Sequence, residues 1–150
     1  MHHSARLSAT AQRSPRARLL IVDDEQLIRE LYARVLSLEG YEVETVDDGV
    51  AALERLAEEE FDLVVTDREM PRLDGASMTV TLRSAGSRIP VIMISGLPAQ
   101  LSMAVTRQLS AILPKPARHA EVVGAVNRAL GGAPARKTPH FDHASTLAAA

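Results

Sequence analysis

Five polar side chains stand where short apolar runs end. Asp23 and Asp24 follow RLLIV (Arg18–Val22), Asp67 closes FDLVVTD (residues 61–67), Ser95 closes PVIMIS (residues 90–95), and Lys115 comes just after Ala111–Leu113. If those runs are strands of one open parallel sheet, their C-terminal ends share a rim where side chains from separate strands converge. Three carboxylates gathered within about 5 Å repel one another by roughly 3 kcal/mol per pair at an effective dielectric near 20, so they require a cation. Oxygen donors suit Mg2+, which takes about six oxygens near 2.1 Å and keeps waters among them. Zn2+ is disfavoured, because the chain has no cysteine and its histidines (His2, His3, His119, His140 and His143) are scattered and take no assigned role. With a cation orienting its carboxylate, Asp67 can attack phosphorus and become an acyl phosphate. Lys115 is a mobile point charge suited to a phosphoryl oxygen, and the Ser95 hydroxyl can donate a hydrogen bond to another.

The pattern around these residues is that of βα units building a parallel sheet, with five strands and five helices predicted. After its Arg, the run Arg18–Val22 is continuously apolar, and so is Leu63–Val65, as strands covered on both faces should be. Leu27, Ile28, Leu31, Tyr32, Val35 and Leu36 recur at helical spacing, and Gly40 stands where a left-handed residue ends a helix. Glu42–Val46 alternates as a half-covered strand, and Val50, Ala51, Leu53, Leu56 and Ala57 stripe a second helix. A Pro/Gly loop and a short helix over Ala76–Ser84 follow the third strand. Leu101, Ala104, Val105 and Leu109 mark a fourth helix; Val122, Val123, Val126 and Leu130 mark the fifth, with Gly131 and Gly132 as its stop.

The chain of 150 residues is 46% hydrophobic and 24% charged, which fits one domain with a real core and no apolar run long enough to span a bilayer. Residues 1–17 and 131–150 read as disordered extensions around a folded block at 18–130. The start lacks the apolar segment of a secretory signal, so a soluble, cytoplasmic location is the default, without membrane contact. The net charge is −2, but Leu19–Leu130 holds 18 acidic against 11 basic residues, which disfavours direct nucleic-acid binding.

Together, LIVDDE, TDREMPRLDG (Thr66–Gly75), the strand-end Ser95 and LPKP (Leu113–Pro116) resemble the motifs of bacterial response-regulator receiver domains, over residues 18–130. The resemblance implies a flavodoxin-like fold with strand order 2-1-3-4-5. It implies Asp67 as phosphoacceptor, with Asp23, Asp24, Asp67 and the Glu69 backbone carbonyl holding Mg2+ (or Mn2+). It further implies Ser95 as switch hydroxyl, Lys115 as phosphate clamp, a cis Lys115–Pro116 bond, and Gly75 at the turn before the third helix. The sequence departs from the family where a switch aromatic is expected, since Ile112 stands there, and where Gln108–Leu109 replace the usual Gly-Ala.

The implied function is that of a signalling domain, not an enzyme in its own right. It would take a phosphoryl group from a phosphohistidine on a sensor kinase or phosphotransfer protein, then change its contact with a downstream protein. It would stand alone or form part of a longer regulator or hybrid kinase. A nucleotide or flavin binder is disfavoured, because VDDEQ puts carboxylates where a phosphate-binding turn wants glycines. An aspartyl phosphatase would resemble its relatives in a second Asp two residues after the nucleophile; here that residue is Glu69. An interaction module that is never phosphorylated is disfavoured by the intact acidic pair, acceptor, hydroxyl and lysine, and Ile112 keeps it as the alternative. Taken alone, Asp23–Asp24 could be a helix cap, Asp74 a turn residue, and Glu58–Glu60 a solvated face. One further expectation is that the Glu69 side chain faces the site entrance and influences attack of water on the acyl phosphate.

Overall fold

The computed structural model describes residues 16–131. Neighbouring residues of a strand face opposite ways, and the first strand, β1 (Arg18–Val22), uses both faces: Leu19 and Ile21 enter one core, Leu20 and Val22 another. The same division splits β3 (Leu63–Asp67) into Leu63 and Val65 on one side and Val64 on the other. With β2 (Glu42–Val46), β4 (Val91–Ser95) and β5 (Ala111–Pro114) they form a parallel five-stranded sheet in the order β2-β1-β3-β4-β5. This is the expected flavodoxin-like fold. The edge strand β2 pairs only with β1, and its residues are exposed or half-buried, as a one-sided neighbour requires.

Five helices cover the sheet: α1 (Gln26–Leu38), α2 (Gly49–Glu58), α3 (Gly75–Ser84), α4 (Met103–Thr106) and α5 (His119–Ala129). Tyr32 and Leu36 of α1 meet Val122, Ala125 and Val126 of α5 in the first core, while Leu53 and Leu56 of α2 meet Met78 and Leu82 of α3 in the second. The α1 stripe is narrower than the sequence suggests. Ile28, Tyr32 and Leu36 form the row that docks, whereas Leu27 is 81% exposed and Leu31 38%. Leu27 and Leu31 lie one step around the helix on the adjoining ridge, which overhangs solvent.

The fourth helix also departs from expectation. Pro98–Gln100 forms a 3-10 turn, Ser102 caps a new start by accepting from the Val105 N–H at 3.2 Å, and only Met103–Thr106 is α-helical. A proline and a capping serine so close together restart the backbone before a long helix can form. Ala104 is consequently exposed, while Leu109 packs on the second core from beyond the helix.

Gly40 (φ +94°) and Gly131 (φ +64°) adopt the left-handed conformation just past α1 and α5, as their positions imply. At the N-terminal boundary Ala17 is buried and the Arg16 N–H donates to the Gly40 carbonyl at 3.1 Å, so both residues belong to the packed structure. The expectations for residues 1–15 and 132–150 lie outside the described residues.

Candidate functional site

The rim at the C-terminal ends of the strands brings the five singled-out side chains together. Asp23 and Asp67 are 5% and 2% exposed, and Asp24 is open to solvent; each offers a carboxylate oxygen within 4.8 Å of the other two. Asp23 lies two residues before Glu25, the N-cap of α1, and its side chain does not cap the helix. Its Oδ1 accepts from the Glu25 N–H at 2.9 Å, and its carbonyl accepts from the Arg29 guanidinium at 2.7 Å, which fixes the approach to the helix.

Lys115 Nζ lies 2.6 Å from Asp67 Oδ1 and 3.5 Å from Glu69 Oε2. The two side chains form an ion pair in which Asp67 is almost wholly buried and Lys115 about one-third exposed. The Lys115 N–H donates to the Ser95 carbonyl at 2.9 Å, and the cis Lys115–Pro116 bond follows directly, as expected. Ser95 is fully buried. Its hydroxyl donates to Glu69 Oε1 at 3.2 Å and accepts from the Leu97 N–H at 3.1 Å.

The electrostatics follow from burial and crowding. Burial pushes the Asp23 carboxyl up to about 6, with the Asp67 and Asp24 charges adding to the effect. Burial also raises Asp67, and Lys115 offsets only part of this. For Lys115 burial works downward, but Asp67 and Glu69 outweigh it and hold the ammonium above its ordinary value. Two carboxyls held above their usual range beside an exposed third describe a cluster short of positive charge. All the donors are oxygens, and no histidine or cysteine joins them, so the set fits a hard divalent cation such as Mg2+.

The β3–α3 loop is fixed from two sides. Gly75 opens α3 against the end of β3, where any side chain would collide with the Asp67 carbonyl; its N–H donates to the Arg68 carbonyl at 2.9 Å. Its role is therefore close approach, and its φ is not positive. Asp74, read from sequence as a turn residue, caps α3 by accepting from the Ser77 N–H at 2.7 Å. Arg72 takes φ +67° and pairs with buried Asp48, the residue that caps α2. A cleft of about 520 Å³ opens beside the loop, lined by Asp24, Arg68, Glu69, Met70 and Gln100 among others.

Sequence reasoning missed the Arg68 guanidinium, which donates to the Leu97 carbonyl at 3.1 Å and ties the loop after β3 to the loop after β4. It also missed the Arg29 and Arg72 contacts. Arg68 was detectable by adjacency to Asp67, while the other two depend on how loops turn. Ile112 is half-buried in β5 opposite Met93 of β4.

An open parallel sheet in this order with acids, a hydroxyl and a lysine on one rim defines a receiver. The model of the response regulator receiver domain matches residues 19–127, and the chain belongs to that family. It is accordingly a receiver domain of two-component signalling. Response regulator MprA from Mycobacterium leprae is 35% identical over 133 residues, covering 87% of this chain and 56% of its own. Response regulator MprA from Mycobacterium ulcerans is 45% identical over 78 residues, covering 52% of this chain and 34% of its own. The chain thus spans between a third and just over half of these relatives. Among solved structures, the response regulator TrrA from Thermotoga maritima in complex with Mg(2+)-BeF is 30% identical with a TM-score of 0.69, covering 75% of this chain and 98% of that one.

Proposed function

We propose that the chain accepts a phosphoryl group from a phosphohistidine onto Asp67 in a Mg2+-dependent step, and answers by changing its contacts with a downstream protein. The observation that carries this reading is the gathering of Asp23, Asp24 and Asp67 oxygens within 4.8 Å, with Lys115 2.6 Å from Asp67. Asp23, Asp24, Asp67 and the Glu69 carbonyl would hold the metal, which when bound supplies charge neutralisation for the incoming phosphoryl group. The Thermotoga relative, in complex with Mg(2+)-BeF, supports that choice of ion.

The protein's own residues perform the rest. An Asp67 oxygen bonds to phosphorus as the donor's P–N bond breaks, its electron pair returning to the imidazole nitrogen. The Lys115 ammonium and the Ser95 hydroxyl then hold phosphoryl oxygens. Dephosphorylation is a separate step: the oxygen of water bonds to phosphorus, the Asp67 O–P bond breaks, inorganic phosphate departs, and the carboxylate is restored. On this reading the domain catalyses only its own phosphorylation and dephosphorylation, with a sensor kinase or phosphotransfer protein as donor.

A stoichiometric acceptor and a phosphatase differ in turnover. Incubated with phosphoramidate and Mg2+, the protein should gain one phosphoryl group per chain by intact mass, and none when the metal is chelated. Catalytic phosphate release from an ester such as p-nitrophenyl phosphate, or no adduct at all, would overturn the proposal.

A further inference from the structure

The Ser95 hydroxyl carries a single proton, and that proton is already committed. The Leu97 N–H can only donate and an ionised Glu69 can only accept, so the 3.1 Å and 3.2 Å contacts fix the hydroxyl as acceptor from Leu97 and donor to Glu69 Oε1. The second carboxylate oxygen, Glu69 Oε2, lies 3.5 Å from Lys115 Nζ. One side chain, carried by the loop after β3, therefore reaches both groups that the other strands bring to the rim for a phosphoryl group. Nothing about burial forces this position. The Glu69 side chain is 48% exposed and borders the open cleft, so it could extend into water at little cost.

We propose that the Glu69 carboxylate is a built-in competitor for the phosphoryl group, occupying Ser95 and Lys115 until phosphorylation of Asp67 displaces it and so setting the threshold for capture. The inference rests on the reading of Asp67 as acceptor. A phosphoryl group on Asp67 presents anionic oxygens to the same two donors, and Ser95 cannot serve both. The added phosphoryl also brings close to two negative charges beside Glu69, so the displaced carboxylate swings away from the site. In the resting protein burial opposes ionisation of Glu69, but Lys115 and the Ser95 hydroxyl outweigh it and hold the carboxyl below its ordinary value.

The test measures affinity for beryllofluoride, an analogue of a phosphoryl group on a carboxylate, in the presence of Mg2+. The chain has no tryptophan, so isothermal titration is the readout. The variants are Glu69→Ala, Ser95→Ala and their combination, with a separate titration of Mg2+ alone on each. Glu69→Ala should bind beryllofluoride about tenfold more tightly than wild type, a typical coupling between linked sites, with no gain in affinity for Mg2+ alone. In the Ser95→Ala background the same change should yield only a small part of that gain, because the contested donor is gone. An unchanged or weakened affinity in Glu69→Ala would overturn the proposal, as would an equal gain in both backgrounds, which simple charge repulsion would give. Asp67→Asn separates the two levels. If wild type binds beryllofluoride and Asp67→Asn does not, a null result at Glu69 removes this inference alone; if Asp67→Asn binds as well as wild type, the acceptor reading fails and takes the competitor with it.

Discussion

At the scale of single residues, the site holds more negative charge than the fold can comfortably neutralise. Asp23 is the clearest case, since its carboxyl stands at about 6 in the folded protein against an ordinary value of 3.8. A raised carboxyl binds its proton more tightly folded than unfolded, so this group's contribution is favourable below about pH 4, is lost as pH rises towards 6, and becomes a cost at neutral pH. Without metal, Asp23→Asn should therefore raise the thermal midpoint at pH 7.5 by a few degrees while weakening Mg2+ binding. Added Mg2+ should stabilise the wild type more at pH 7.5 than at pH 5, where protons compete for the same oxygens. Thermal melts with and without Mg2+ at the two pH values check both statements. Lys115→Ala should slow phosphoryl capture by roughly tenfold to a hundredfold, the worth of a hydrogen bond to a charged group, measured as the rate of adduct formation with a small phosphodonor. Asp23, Asp24, Asp67, Ser95 and Lys115 were legible because strand ends place them with little freedom. That Glu69 borders the site entrance was legible too; its contacts with the Ser95 hydroxyl and Lys115 were not, because they join a loop to the ends of two other strands.

At the scale of elements, the sheet was readable because burial on both faces leaves unbroken apolar runs at Leu19–Val22 of β1, Leu63–Val65 of β3 and Val91–Ile94 of β4. The helices were readable as elements but less so in their facing. Spacing alone gave Leu27 and Leu36 equal standing, whereas the docking row admits Leu36 and leaves Leu27 in solvent. Leu36→Ala should cost about 2–5 kcal/mol of stability and Leu27→Ala within about 0.5 kcal/mol, compared by urea denaturation. The fourth helix was overextended in the sequence reading because apolar spacing from Leu101 to Leu109 says nothing about the restart at Ser102. Gly75 ties element to site. Gly75→Ala forces a methyl group into the Asp67 carbonyl, so either β3 or α3 must shift. The expected outcome is a folded but less stable protein with slowed adduct formation, read by denaturation and by intact mass on the same sample.

Across the whole molecule, residues far apart in the chain become neighbours because every strand of the sheet runs the same way. The parallel order β2-β1-β3-β4-β5 places the ends of β1, β3, β4 and β5 on one rim, and the chemistry of that rim follows from five side chains and one loop. That much is encoded locally in βα alternation and in what stands at each strand end. The balance between Glu69 and an incoming phosphoryl group is a property of three separate segments meeting, which no single stretch of sequence carries. Among the described residues no helix is long and apolar enough to cross a membrane. The central claim is that phosphoryl capture occurs at Asp67. The most direct measurement is intact and peptide mass spectrometry after exposure to phosphoramidate and Mg2+, wild type beside Asp67→Asn. One phosphoryl group on the wild-type peptide that contains Asp67, and none on the variant, is the predicted result; equal labelling of both proteins would contradict it.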